Sequence, residues 1–264
     1  MNLFQYTFIL HGLSAGIIVA VIAPMVGIFL VLKRYSLIAD TLAHVSLAGI
    51  AIGLLAGINP VFTALGATVL GSLGVERLRM SKNVYGESAL ALFLSGSLAL
   101  AIVLISLARG FNTNLFNYLF GSIVTVTIGD VYTILCLAFV VIAILAFFYR
   151  EIIYVTFDED AAQVSGVNTR RINTILIVLA ALVVSLSIPI VGVLLIGALI
   201  VIPVVSALQL RKNFMKTILY AEIISIFSVI IGIIASFYLN ISAGGAIVLL
   251  MLAIFFGIYI LKKR

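Results

Sequence analysis

The chain has 264 residues, 64% of them hydrophobic and 9% charged, with a formal net charge of +6 at pH 7. Soluble domains carry roughly 25% charged residues, so a mean hydropathy of +1.37 excludes a soluble domain of useful size and points to an integral membrane protein. The single cysteine, Cys136, lies inside an apolar run, which excludes a disulfide framework and a cysteine-based metal site.

Hydropathy marks nine candidate spans, each roughly the length that a ~30 Å hydrocarbon core requires. They cover 11–32, 37–57, 60–76, 88–108, 129–149, 172–188, 190–209, 216–237 and 243–261. The expected fold is therefore all-α, a polytopic membrane bundle of eight to nine transmembrane helices, with residues 1–264 forming one transmembrane domain. No basic region precedes the first span, so it reads as a retained helix and not as a cleaved signal. Pro24 and Gly27 fall in mid-span, where proline removes a backbone hydrogen bond, so either a kink or a break is expected there.

The second span holds the chemistry. Asp40 and His44 stand four residues apart, hence on one helical face, in an otherwise apolar run. Ionisable residues at bilayer depth are costly and mark substrate or ion paths. A straight count from Lys33 puts Asp40 ~10 Å and His44 ~16 Å deep, the histidine close to the midplane. A carboxylate with a neutral imidazole suits Zn²⁺, Mn²⁺ or Fe²⁺ better than Mg²⁺ or Ca²⁺. Two ligands do not complete a site, and the rest would come from water, another span or a second copy of the chain. The competing reading is an intrahelical Asp–His pair that neutralises two buried groups. Ser36, Thr41 and Ser46 are candidates to hydrogen-bond around the pair. The small residues of this span, Gly49 among them, suit close helix packing, as do Gly66, Gly71 and Gly74 in the third.

Further along, the segment 114–128 either lies outside or dips into the membrane. His11 and Asp130 sit at predicted outer ends of spans, and Glu76 adjoins Arg77 and Arg79 as an interfacial group. The longest inner loop, 150–171, contains three adjacent acids out of nine in the chain. Asp158 suits an N-cap, Glu159 and Asp160 a first turn and Gly166 a C′ position, which predicts a short amphipathic helix. Its concentration of charge fits a docking surface for a soluble partner. Spans six and seven are divided at Ser187-Ile188-Pro189, and Gly192, Gly197 and Pro203 interrupt the seventh. Broken spans point to a transport pathway. Glu222 lies inside the eighth span, where it either lines a pathway or pairs with inner-face cations.

Basic residues set the orientation. With the N-terminus outside and the C-terminus cytoplasmic, the inner segments hold Lys33, Arg34, Arg77, Arg79, Lys82, Arg150, Arg170, Arg171, Arg211, Lys212, Lys216, Lys262, Lys263 and Arg264. Only Arg109 falls outside, as the positive-inside rule requires. The basic residues come in small groups between apolar runs, so no nucleic-acid partner is expected. No G-x-x-x-x-G-K-[ST] loop and no H-E-x-x-H motif occur, which argues against ATP hydrolysis by this chain and against an intramembrane zinc protease.

The S-x-x-x-D-x-x-x-H-x-x-x-x-G pattern at Ser36–Gly49, after Lys33-Arg34, resembles the second-helix signature of the ABC-3 family, the permease subunits of zinc/manganese/iron ABC importers. Phe157–Asn168 resembles that family's FD-x-x-x-A-x-x-x-G-V stretch. Val191–Ala207 is similar to its G-V-L-L…A-L-L…P…A segment, and Ser236–Gly244 to its turn before the last helix. Asn240 and Ser242 depart from the family's usual Asp and Pro in that turn.

The resemblance implies a multi-pass homodimer in the cytoplasmic (inner) membrane that is not itself an enzyme. Two cytoplasmic ATPase subunits would hold the ATP, an extracellular or periplasmic metal-binding protein would deliver the ion, and the chain would keep no cofactor of its own. Asp40 and His44 would handle the transported metal. Asp158, Glu159, Asp160, Ala161, Ala162 and Gly166 would couple to the ATPase. A secondary transporter or channel using Asp40 and His44 as a proton relay is the alternative.

Overall fold

A computed structural model of the chain describes residues 7–81, 84–107 and 113–262, the side chains of 113–115 apart. Lys82, Arg109, Lys263 and Arg264, used above to orient the chain, lie outside the described residues. Twelve helices follow in order: α1 (Thr7–Leu32), α2 (Leu37–Ala56), α3 (Pro60–Arg79), α4 (Gly86–Leu107), α5 (Thr113–Phe120), α6 (Ile128–Phe147), α7 (Tyr149–Phe157), α8 (Glu159–Val164), α9 (Thr169–Val191), α10 (Ile196–Gln209), α11 (Phe214–Leu239) and α12 (Ala243–Lys262). No strand occurs among the described residues. Eight of these helices are long and apolar enough to cross a membrane, and α10 is a shorter apolar helix.

Burial sorts the bundle into centre and rim. The central windows of α1, α2 and α9 are 67, 72 and 78% buried, against 11% for α4 and 22% for α6 and α12. The Asp40/His44 helix therefore belongs to the centre. It packs on α3, α4, α9 and α10. Small residues allow this: a side chain at Gly49 would run into the Ala64 and Thr63 backbone of α3.

Local chemistry fixes the ends. α1 runs unbroken through Pro24, so proline there acts within a continuous helix and the break does not occur. It stops in a Schellman motif, with Tyr35 N–H donating to Leu30 O at 2.7 Å and Arg34 N–H to Val31 O at 3.0 Å. Arg34 takes the left-handed φ of 60° that glycine usually supplies. α2 ends on Gly57 at φ 68°, and Asn59 caps α3 by accepting from Val61 N–H, with Pro60 at the first helical position.

The division between the sixth and seventh spans differs from the sequence expectation. α9 continues through Pro189 to Val191, and the chain breaks at Gly192, whose φ of 81° suits glycine. A 3-10 turn, Val193–Leu195, then leads into α10. The segment after α5 folds against this break. Ser122 N–H donates to the Pro189 carbonyl at 3.1 Å, and Ser242 Oγ donates to Phe120 O at 2.8 Å. Of the two open placements for 114–128, the segment thus packs into the end of the bundle, against α1, α9 and α12.

The loop expected at 150–171 is largely helical. α6 gives way at Phe148 to α7, which carries the chain on to Phe157. The short acidic helix follows as α8.

Candidate metal pathway and docking helix

Asp40 and His44 lie in the first half of α2, both half-buried. Residues 33–36 form a turn, so depth along the helix counts from Leu37. Asp40 is ~5 Å and His44 ~11 Å into a helix of ~30 Å. The straight count from Lys33 overstated both, and His44 sits about a third of the way along α2.

The two side chains do not neutralise each other through a hydrogen bond. His44 Nδ1 lies 2.8 Å from the backbone carbonyl of Asp40. A carbonyl only accepts, so Nδ1 carries the proton and Nε2 keeps its lone pair for a ligand. No donor among the described residues hydrogen-bonds the Asp40 carboxylate. It rests instead on Gly197 in the first turn of α10, where any Cβ would collide with Oδ1. The break at Gly192 brings the start of α10 to Asp40.

Two of the three candidate supporting hydroxyls donate within their own helix. Thr41 Oγ1 donates to Leu37 O and Ser46 Oγ to Ala43 O, both within α2, while Ser36 makes no capping bond. Among the described residues no group of three or more His, Cys, Asp and Glu side chains comes together. Asp130 closes a capping box with Thr127 at the start of α6. Glu222 is half-buried in α11, away from Asp40 in sequence and without a hydrogen bond among the described residues. Asn240, where a departure from the expected turn was noted, caps α11 at a left-handed φ of 53°, a conformation asparagine tolerates well.

The acidic segment has the expected shape. Asp158 caps α8 by accepting from Ala161 N–H at 2.9 Å. Gly166, at φ 87°, closes it in a second Schellman motif, with Val167 N–H donating to Ala162 O. Ala162 is fully buried beneath the helix, whereas Asp160 and Val164 face outward, Val164 at 91% exposure. Glu159 turns inward to Lys33 at 2.9 Å. Burial works to raise its carboxyl, but hydrogen bonds from Lys33 and Asn173 and the Lys33 charge outweigh that and hold it below the usual carboxylate range.

Three residues escaped the sequence reading. Gly197 was visible as an interruption of its span but not as the seat of Asp40. Lys33 served to set the orientation and the depth count, not as a bonding group. Asn173, a lone amide in an apolar stretch, carried a signal that went unused.

Comparison with known proteins matches residues 5–262 to the ABC 3 transport family. The chain belongs to that family. It is 30% identical over 263 residues to the manganese transport system membrane protein MntC of Listeria monocytogenes, covering 100% of this chain and 94% of that one. It is 34% identical over 246 residues to the high-affinity zinc uptake system membrane protein ZnuB of Buchnera aphidicola, covering 93% and 94%. Among solved structures, PsaBC from Streptococcus pneumoniae, in complex with Fab, superposes with a TM-score of 0.87 at 25% identity, over 98% of this chain and 93% of that one. The fold is that of an ABC-type permease.

Proposed function

We propose that this member of the ABC 3 transport family is the membrane-spanning permease subunit of an ATP-binding-cassette importer. Its cargo is a divalent transition-metal ion, zinc or manganese and, next to them, iron. The observation that carries this is the uncommitted donor pair, the Asp40 carboxylate and His44 Nε2 on one face of a central helix. An Asp–His pair serving only to neutralise buried charge would be held by a hydrogen bond between its side chains, and none joins this one.

Two donors per chain make half a site. In a homodimer, a twofold axis brings a second Asp40 and His44 opposite the first, giving two carboxylates and two imidazoles. That mixed oxygen and nitrogen set suits Zn²⁺ or Mn²⁺ and serves poorly for Mg²⁺ or Ca²⁺. The manganese and zinc descriptions of the relatives agree with it. The N-terminus lies outside and the C-terminus in the cytoplasm, so α8 faces the cell interior. There Asp158, Asp160, Ala161 and Gly166, with Ala162 packed beneath them and Glu159 anchored to Lys33, build the helix on which a separate ATPase subunit docks, while an external metal-binding protein feeds the opposite end. ATP binding and hydrolysis on that partner alternate access to the pair, and this chain itself catalyses no reaction.

The test is uptake of Zn²⁺ or Mn²⁺ into proteoliposomes holding the chain with its ATPase subunit. ATP-dependent uptake is expected in the wild type, and its loss in Asp40→Ala and His44→Ala complexes that still assemble. Uptake that proceeds without ATP would instead mark a secondary transporter.

A further inference from the structure

Lys33 caps the C-terminus of α1, and its side chain is only 4% exposed. A buried ammonium is unfavourable unless each of its donors is met. Here Nζ donates to the Val155 carbonyl at 3.2 Å, to Glu159 Oε2 at 2.9 Å and to Asn173 Oδ1 at 2.8 Å. Asn173 closes the ring by donating Nδ2 to Glu159 Oε1 at 2.7 Å. The acceptors come from α7, α8 and α9, and the donor sits in the turn that opens α2.

That turn is stiff. The Schellman bonds described above lock it on the α1 side. On the other side the Tyr35 ring lies 4.0 Å from the Arg79 guanidinium, which is itself held by two bonds to the buried Glu76 carboxylate. Apolar contacts run in parallel: Phe214 packs between Phe157, next to the α8 cap, and Phe29 of α1, each at 5.8 Å between ring centroids.

We infer that the Lys33–Glu159–Asn173 ring is the strut through which the docking helix α8 displaces the cargo helix α2. Lys33 and Asn173 are thus positioning residues for transport. The inference rests on the importer function proposed above. Its physical basis is the buried ammonium. If α8 moves alone, Lys33 keeps the Val155 and Asn173 acceptors but stays buried without its counter-charge, so the favourable response is for the α1–α2 turn to follow. α2 begins at Leu37, and Asp40 lies in its first turn. A motion imposed at α8 therefore reaches the base of this helix through the direct Glu159–Lys33 bond, with Asn173 bridging the two.

A static staple for the inner loop would use the same contacts, so the test must read coupling and not assembly. Metal uptake and ATP hydrolysis are measured on the same proteoliposomes. Lys33→Met and Asn173→Leu, which keep the shape and remove polar bonds, are expected to leave the ATPase bound while metal moved per ATP falls roughly fivefold or more. Lys33→Glu combined with Glu159→Lys restores opposite charges across the same gap and is expected to recover most of that ratio. Should Lys33→Met fail to assemble, Asn173→Leu, a neutral change, decides. An unchanged ratio in the single variants would overturn the strut, as would loss of ATPase binding with no change in the ratio. Failure of the underlying importer reading looks different, because the wild-type complex would then move no metal with ATP.

Discussion

At the scale of single residues, the site depends on how two side chains are left available. His44 commits Nδ1 to the carbonyl one turn back, which leaves its other nitrogen as the acceptor of the neutral ring. Asp40 is positioned by an absence, since the backbone of Gly197 leaves room for its carboxylate. Gly197→Ala should therefore cost metal uptake while the bundle still forms. An added methyl in a packed interior costs about 1–3 kcal/mol, which α10 would absorb by shifting or Asp40 by rotating away. Uptake assays alongside a thermal-stability measurement separate the two effects. The expected pattern is at least a tenfold loss of uptake, by the ~1.4 kcal/mol that a tenfold change represents, with assembly retained. The Asp/His pair was legible in the sequence because i, i+4 spacing is a local property. Gly197 as its seat was not, because that contact joins two helices far apart along the chain.

Helical elements were legible to the extent that hydropathy and caps decide them. The eight long apolar helices and the Asp158-to-Gly166 unit follow from span length and from capping chemistry. The two errors have separate causes. Proline at 189 was taken as the break, yet α9 carries it through to Val191 and it is Gly192 that takes the positive φ where the chain turns. Residues after Phe148 read as loop because α7 is amphipathic and lies outside the apolar run. The docking role gives two predictions. Ala162→Glu would force a charge under α8, and Gly166→Val would place a β-branched residue at φ 87°, strained by roughly 1–2 kcal/mol. Both should weaken ATPase association, measured by co-purification, while the membrane bundle remains intact. The second concerns pH. Because the Glu159 carboxyl is held low, the stabilisation it gives α8 is complete above the ordinary glutamate value, ~4.3, and is lost as pH falls through the depressed one. Hydrogen exchange of α8 amides in nanodiscs should stay slow at neutral pH and quicken only in that acid range. In Lys33→Met the quickening should begin at higher pH, since the partner that depresses the carboxyl is gone.

For the whole molecule, the arrangement separates two tasks by roughly the length of α9, ~35 Å. One end carries α8 and the Lys33 ring. The other carries the Gly192 break, the α5 segment packed on it and a cavity of about 440 Å³ lined by Asn59, Asn117, Tyr118 and Asp130 among others. Between them runs the central helix α2, which carries Asp40 and His44. The proposed function has a second copy of the chain complete a four-donor metal site with this pair. Metal-edge X-ray absorption on the zinc-loaded permease–ATPase complex, with the metal content measured, tests it most directly. One ion per two permease chains is expected, bound through imidazole nitrogen at ~2.0–2.1 Å together with carboxylate oxygen, with loss of the nitrogen shell in His44→Ala. An all-oxygen shell indifferent to His44→Ala, or one ion per chain, would contradict it.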